Sequence, residues 1–402
     1  MNIKKFLLDK IKIFISNLLY YGLRIFPLEN KIVIRTFEGR KFGDNPQFIA
    51  ESILKKDSKI KIIWLKNVNS SYKVPKGIKV VEDKGIRKFY EYYTAKVWID
   101  THRINKYLIK RKNQLVIETW HGGLGIKKID GDVPKFRKIK KLMDEIENMC
   151  KITDIFISNS THLTNIYRSA FGYKGKIWKC GYPKNDILIK GAFDVQSKVK
   201  QYYGIDNNRK IIVYAPTFRD KNRFKGFDST LYDIDYEKLY IALKEKTGKE
   251  WSILVKHHPF LINRKKANEF CGEHVINANM YPDMQELILS ADAFISDYSS
   301  CIFDAGLREI PCFTYAKDFE YFKKDRGVYY EMEELPFPYA RNNDELISNI
   351  YQFDYGKYLS KWKKFVKKTG LYENGDASEN IAYIILEFIY GNKNILNTIN
   401  SD

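Results

Sequence analysis

Cysteine is scarce in this chain: there are five in 402 residues, Cys150, Cys180, Cys271, Cys301 and Cys312, with no C-x-x-C spacing. That excludes a disulfide scaffold and reads as reduced thiols in a cytosolic protein. Long hydrophobic runs are also missing. Within residues 3–26 the longest uncharged stretch, Ile13 to Leu23, is well short of the roughly 20 residues that span a bilayer. No small-residue cleavage site follows, which argues against a signal peptide. The stretch mixes apolar side chains with Lys4, Lys5, Lys10, Lys12 and Arg24, the pattern of a basic amphipathic helix lying in a membrane surface. A helix packed on the protein itself is the competing reading. Segment 1–27 is therefore expected to associate with a membrane.

Acidic residues are in short supply: 49 Asp and Glu against 69 Lys and Arg leave a net charge of +20. Such an excess points to an anionic partner, whether nucleic acid, an anionic membrane or a phosphate-rich substrate; a lysine-rich composition with solvated faces is the plainer explanation. No RRM, KH, zinc-finger or helix-turn-helix pattern supports nucleic acid, and the 29 tyrosines sit mostly inside apolar runs where core packing explains them. Repeats, low-complexity tracts, a P-loop, G-x-G-x-x-G and G-x-S-x-G are all absent. Asp233-Ile234-Asp235 is a bare D-x-D with no strand before it, and it reads as a loop or helix start rather than a metal site. No metal and no cofactor are expected.

What is present builds a core, since 44% of residues are hydrophobic, near the globular average of about 45–50%. The length suggests two domains. Short apolar runs recur as strands: 31–36, 61–65, 97–100, 115–118 and 155–158 in the first half, and 210–214, 251–255, 293–296 and 312–315 in the second. Helical patterns at 45–55, 236–246, 283–291 and 301–308 lie between them. Strands alternating with helices imply parallel sheets, so the chain is expected to be α/β, with two doubly wound domains facing a cleft. Their bounds are expected at 28–195 and 205–370, with a tail, 371–402, whose apolar helix 377–390 returns to the first domain.

Ligands of such sheets lie at the carboxyl ends of strands, and four strand ends carry suggestive chemistry. His121, in Thr119-Trp120-His121-Gly122-Gly123, follows the strand LVIE; a histidine there could act as a general base, and the glycine turn lets backbone N–H groups approach an anion. Tyr214-Ala215-Pro216-Thr217-Phe218-Arg219-Asp220 brings a hydroxyl and a guanidinium. Lys256, His257 and His258 follow ILV, without the further ligands a zinc site needs. Ser299 and Ser300 precede the helix containing Asp304, where hydroxyls and free N–H groups suit phosphate; an ordinary helix cap is the plain alternative.

These clusters, in this order, resemble the CDP-glycerol glycerophosphotransferase family of teichoic-acid and capsule polymer transferases. The matching segments are Gly39-Arg40-Lys41-Phe42-Gly43-Asp44-Asn45-Pro46, TWHGG at Thr119, Arg168-Ser169-Ala170-Phe171-Gly172-Tyr173 and Gly181-Tyr182-Pro183-Lys184-Asn185-Asp186. YAPTFRD, KHHP, SDYSS with Phe303-Asp304, Asp325-Arg326-Gly327-Val328-Tyr329-Tyr330 and Gly375-Asp376-Ala377-Ser378-Glu379 complete the set, which covers roughly residues 31–390. The resemblance implies a GT-B fold of two Rossmann-like domains. It also implies transfer of a polyol phosphate, glycerol phosphate first, from a CDP-activated donor to a hydroxyl of a lipid-linked or growing polymer, with release of CMP at the cytoplasmic face of the membrane. By resemblance His121 and His258 are catalytic. Gly122, Gly123, Lys184, Pro216, Thr217, Arg219, Lys256, His257, Ser299, Ser300 and Asp304 hold the donor, with Arg219, Lys256 and His258 stabilising phosphate charge.

The sequence departs from the common family pattern at Gly123-Leu124-Gly125, where Thr-Pro-Leu is usual, and at Lys184, where Arg is usual. The first departure leaves the polyol open and keeps a catalytically silent member among the readings; the second replaces a fork by a point charge. The family's larger polymerases carry long N-terminal extensions not seen in this sequence, which looks more like the short primase-like or capsule-type members. The basic stretches Arg103–Lys112 and Lys127–Lys141 are expected to attract a polyanionic acceptor or anionic lipid. A GT-B glycosyltransferase using a nucleotide sugar is the alternative enzyme.

Overall fold

The computed structural model describes residues 3–104, 107–219, 232–257 and 272–399. The chain forms two compact units: Met1–His121, Asp130–Asp186 and Tyr372–Asp402 make the first, Gly122–Ile129 and Ile187–Leu371 the second.

The first unit is built on strands β1 (Glu29–Arg35), β2 (Lys61–Lys66), β3 (Ile78–Glu82), β4 (Ala95–Asp100), β5 (Leu115–Glu118), β6 (Ile155–Ser158) and β7 (Lys176–Lys179). They pair in parallel in the order β3-β2-β1-β4-β5-β6-β7. That is the doubly wound arrangement, with the order reversing beside β1. β5 and β6 are buried along their whole length, as parallel strands covered on both faces must be, and this is why LVIE and IFIS carry no alternation. Helix α1 (Ile3–Leu23) packs against α3 (Gly85–Thr94), and α2 (Asn45–Lys56) connects β1 to β2. The tail returns to this unit: helix Ala377–Ile389 packs against α2, and the Asp186 carboxylate accepts from the N–H groups of Ala377 (3.0 Å) and Ser378 (2.7 Å) at its start.

The second unit repeats the plan with β8 (Lys210–Ala215), β9 (Trp251–Val255), β10 (Val275–Asn277), β11 (Ala293–Ser296), β12 (Cys312–Tyr315) and β13 (Tyr339–Ala340), all parallel, in the order β10-β9-β8-β11-β12-β13. Its core begins earlier than the sequence-based boundary. Leu188, Val195 and Val199 are buried in it, so the division falls at Asp186 and Ile187 instead of between 195 and 205. Residues 122–129 also join this unit, which their position in the sequence gave no reason to expect. Leu124 and Ile126 are buried in its core, and the Tyr329 N–H donates to the Ile126 carbonyl at 2.7 Å. Asp235, in the D-x-D segment, caps the helix Tyr236–Thr247 by accepting from the Lys238 N–H at 3.1 Å.

Candidate active site

On the first sheet, β1, β4 and β5 are neighbours and end in Arg35, Asp100 and Glu118, three charged residues closing apolar runs. All three are buried. Arg35 Nε donates to Asp100 Oδ2 at 2.8 Å. Asp100 Oδ1 accepts from the N–H groups of Thr101 (2.9 Å) and His102 (3.0 Å). Glu118 Oε1 accepts from the Trp120 N–H at 2.9 Å. Burial, and then the neighbouring Asp100, push the Glu118 carboxyl well above the usual carboxylate range.

His121 follows this layer. Its Nδ1 lies 2.9 Å from the Thr101 carbonyl. A carbonyl only accepts, so Nδ1 carries the proton in the neutral ring and the lone pair lies on Nε2. That is the tautomer a general base requires. The ring is flanked by Trp120 (4.5 Å between centroids), Phe37 (5.5 Å) and His102 (5.6 Å). Trp120 adopts a left-handed backbone, φ 52°, a conformation that costs a non-glycine residue about 1–3 kcal/mol. Its ring packs on Phe171 at 4.9 Å and stacks on His102 at 5.7 Å, so side-chain packing holds the strained turn that presents His121. Burial, and after it the charges of His121, Arg103, Arg35 and Arg40, hold His102 down to about 2; it is neutral near neutral pH.

Lys184 sits in the short turn Pro183–Asn185 of the same unit. It is buried, with its ammonium 5.9 Å from the Tyr182 ring centroid and its N–H donating to Asn45 Oδ1 at 3.2 Å. Gly122 and Gly123 belong to the second unit, and neither has a positive φ. What glycine offers there is the missing side chain rather than a special backbone.

On the second sheet, β9, β8 and β11 are adjacent, so Lys256-His257, Pro216-Thr217 and Ser299-Ser300 follow the ends of three neighbouring strands. Ser296 Oγ donates to the Ala215 carbonyl at 2.7 Å, and the Thr217 N–H to Asp297 Oδ1 at 2.8 Å, tying the ends of β8 and β11 together. Pro216 and Thr217 are buried. Thr217 Oγ1 has no hydrogen-bond partner among the described residues. His257 is buried too; its N–H donates to Asn279 Oδ1 at 2.6 Å, and desolvation holds its imidazole down to about 4. Ser299 Oγ accepts weakly from the Cys301 N–H at 3.4 Å, while the Ser300 hydroxyl makes no cap. Asp304 is buried one turn into that helix and accepts from Gln285 Nε2 at 3.3 Å.

Two cations expected at the donor phosphate are engaged with protein groups of their own unit. Arg219 is 3% exposed. It donates to Asp297 Oδ2 (2.7 Å), to Asp318 through Nε (2.8 Å) and Nη2 (2.9 Å), and to the Thr217 carbonyl (2.6 Å). Lys256 Nζ reaches the carbonyls of Ala278 (3.2 Å), Asn279 (3.2 Å) and Tyr281 (2.7 Å). Both side chains brace the strand-end loops. Sequence reasoning missed Asp100, Glu118 and Asp318; a charged residue closing an apolar strand was the available signal for the first two. His258, expected to be catalytic, lies outside the described residues, as do Asp220 and Lys106.

The basic stretches differ from each other. In the first, Arg103 pairs with Asp130 at 2.7 Å, Lys110 pairs with Asp154, and Arg111 donates to the Tyr93 carbonyl at 2.8 Å. In the second, Lys135, Arg137, Lys138, Lys140 and Lys141 are exposed. Among the described residues no cluster of His, Cys, Asp and Glu is placed to hold a metal ion, and no helix is long and apolar enough to cross a membrane.

The chain is 30% identical over 368 residues to the teichoic acid poly(glycerol phosphate) polymerase of Staphylococcus epidermidis, which covers 88% of this chain and 50% of that protein. It therefore spans half the length of that relative. To the polymerase of the same description from Bacillus spizizenii it is 27% identical over 385 residues, covering 92% of this chain and 96% of the other. A solved structure of the wall teichoic acid polymerase TagF, a histidine-to-asparagine variant soaked with CDPG, matches with a TM-score of 0.76 and 28% identity over 90% of each chain. Residues 20–387 match the sequence profile described as CDP-glycerol:poly(glycerophosphate) glycerophosphotransferase.

Proposed function

The chain belongs to the CDP-glycerol:poly(glycerophosphate) glycerophosphotransferase family, and from that premise we propose that it moves glycerol phosphate from CDP-glycerol to a hydroxyl of a growing or lipid-linked teichoic-acid-type polymer. We read its two parallel sheets as the two Rossmann-like domains of a GT-B enzyme. The acceptor oxygen attacks the β-phosphorus in line, the bond to the bridging oxygen breaks, and CMP leaves. His121 Nε2 takes the hydroxyl proton. Pro216, Thr217, His257, Ser299, Ser300 and Asp304 hold the CDP-polyol, with Gly122, Gly123 and Lys184 completing the donor contacts and His258 stabilising phosphate charge. Arg219 and Lys256 fix the strand-end loops and add positive charge for the donor phosphate. Phosphoryl transfer depends mainly on positioning and electrostatic stabilisation, which fits a site made of braced strand ends. The observation that carries the reading is the Nδ1–Thr101 hydrogen bond, which leaves the basic lone pair of His121 on Nε2.

Incubation with CDP-glycerol and an acceptor analogue is expected to release CMP, at least about 10-fold faster than with CDP-ribitol, the scale on which a pocket separates donors differing by small groups. Release of a nucleoside diphosphate from a nucleotide sugar, and none of CMP, would replace this reading with that of a glycosyltransferase.

We further propose that α1 lies on the anionic membrane surface at the cytoplasmic side. One face of it is turned inward: Leu19, Tyr20 and Leu23 pack on the core around Tyr93, and Tyr20 meets that ring edge-on at 5.5 Å. Ile11, Phe14, Ile15, Leu18 and Tyr21 stay exposed at helical spacing, with Phe14 at 69% and Leu18 at 64%. Phe14→Ser with Leu18→Ser is expected to weaken sedimentation with phosphatidylglycerol vesicles at least about 10-fold, each apolar side chain being worth roughly 1.5–3 kcal/mol. Unchanged binding by the folded variant would remove α1 from the membrane.

A further inference from the structure

The Thr101 carbonyl that receives His121 Nδ1 directly follows Asp100, the last residue of β4. We propose that Asp100 is a positioning residue, whose buried carboxylate fixes the turn that orients the catalytic imidazole; this rests on the reading of His121 as the base.

Asp100 is 1% exposed and Arg35 6%. One carboxylate oxygen takes the N–H groups of Thr101 and His102 together, at 2.9 and 3.0 Å. The other takes Arg35 Nε at 2.8 Å, and Arg35 Nη2 donates to the Arg103 carbonyl at 2.9 Å. Three successive residues after β4 are thus held by one buried ion pair. The peptide carbonyl in the middle of that turn is the acceptor of His121 Nδ1. The Thr101 side chain is itself fastened, its Oγ1 accepting from the Phe37 N–H at 3.0 Å. The Asp100 main chain also ties the two strand ends: its carbonyl accepts from the Thr119 N–H at 2.9 Å, two residues before His121. A carboxylate suits this place because both oxygens must accept. An amide would keep one acceptor but turn an N–H₂ group toward the guanidinium, so the Arg35 arm would loosen while the turn itself survived. A carbonyl displaced by about 1 Å misaims the base, and such errors cost up to about 10²-fold in rate.

The test is a double-mutant cycle on CMP release. Asp100→Asn is expected to lower kcat about 10- to 100-fold, with the donor KM changed by less than about two-fold, since the residue touches no substrate. In a His121→Ala background the same substitution is expected to cost less than about two-fold, because its effect passes through the imidazole. A full multiplicative loss in that background would overturn the proposal, as would a kcat for Asp100→Asn within two-fold of the wild type. Should Asp100→Asn fail to fold, Arg35→Lys keeps the charge and loses the second arm of the fork. It is expected to give a smaller fall in kcat that again vanishes in the His121→Ala background, and a fall that persists there would overturn the proposal too. Failure of the underlying reading looks different: His121→Ala alone would then leave turnover unchanged.

Discussion

His121→Ala is expected to lower CMP release by about 10²- to 10⁴-fold, the usual worth of general acid–base catalysis, while the protein remains folded. The side chain is part-exposed, and its Nδ1 donates to a backbone carbonyl. Removing it deletes that hydrogen bond, a loss of about 0.5–1.5 kcal/mol. The rate cost is far larger, because the hydroxyl proton loses its acceptor in the transition state. Kinetics on the purified variant, with circular dichroism to establish folding, separate the two. A folded His121→Ala protein turning over at the wild-type rate would end the assignment of this residue as the base.

Arg219→Ala is expected to destabilise the second unit by about 3–5 kcal/mol, the range found when one partner is removed from a buried ion pair. The guanidinium is shared between two carboxylates, Asp297 and Asp318, whose side chains are 2% and 9% exposed. Without it both charges are left in a site that water hardly reaches. Burial works against the Arg219 charge, and the neighbouring Asp297 and Asp318 more than offset it, holding the group firmly protonated. The Tyr298 hydroxyl donates to the same Asp318 oxygen that Arg219 Nη2 reaches, and the Tyr298 ring lies 4.5 Å from the guanidinium carbon. Arg219→Lys should recover less than half of the loss, since an ammonium cannot reach both carboxylates and the Thr217 carbonyl in the geometry of a planar fork. Amide hydrogen exchange of β8 and β11 under mild denaturant reports this locally. A change below about 1 kcal/mol would mean that the pair contributes no more than a surface salt bridge.

Much of this protein is legible in its sequence. The strands read from the sequence, β1, β2, β4, β5, β6, β8, β9, β11 and β12, are all interior to their sheets, and their uninterrupted apolar runs follow from burial on both faces. The strands that the sequence pattern does not reveal, β3, β7, β10 and β13, lie at the edges of the two sheets among the described residues. β3 is exposed at Lys79, Val80 and Glu82, and β7 reads KIWK with a single fully buried residue. An edge strand shields less surface and carries lysine against unwanted pairing, so its sequence loses the apolar signature. The strand-end clusters were equally visible, because the connection from strand to helix is where polar residues interrupt an apolar run.

What stayed hidden was the employment of each charge. In a sequence, Arg219 beside a threonine at a strand end looks like a phosphate ligand. Its partners stand 78 and 99 residues further along the chain, and Arg35 meets Asp100 across 65 residues. The sequence by itself determined the fold class, the order of the motifs and the family, because hydrophobic periodicity and local motifs are properties of short segments. Only the tertiary structure decided which cations brace the loops and which backbone carbonyl sets the tautomer of His121. A buried charge takes its role from whatever opposite charge the strand order brings beside it, and that neighbour is set by the topology of the sheet rather than by the residues on either side.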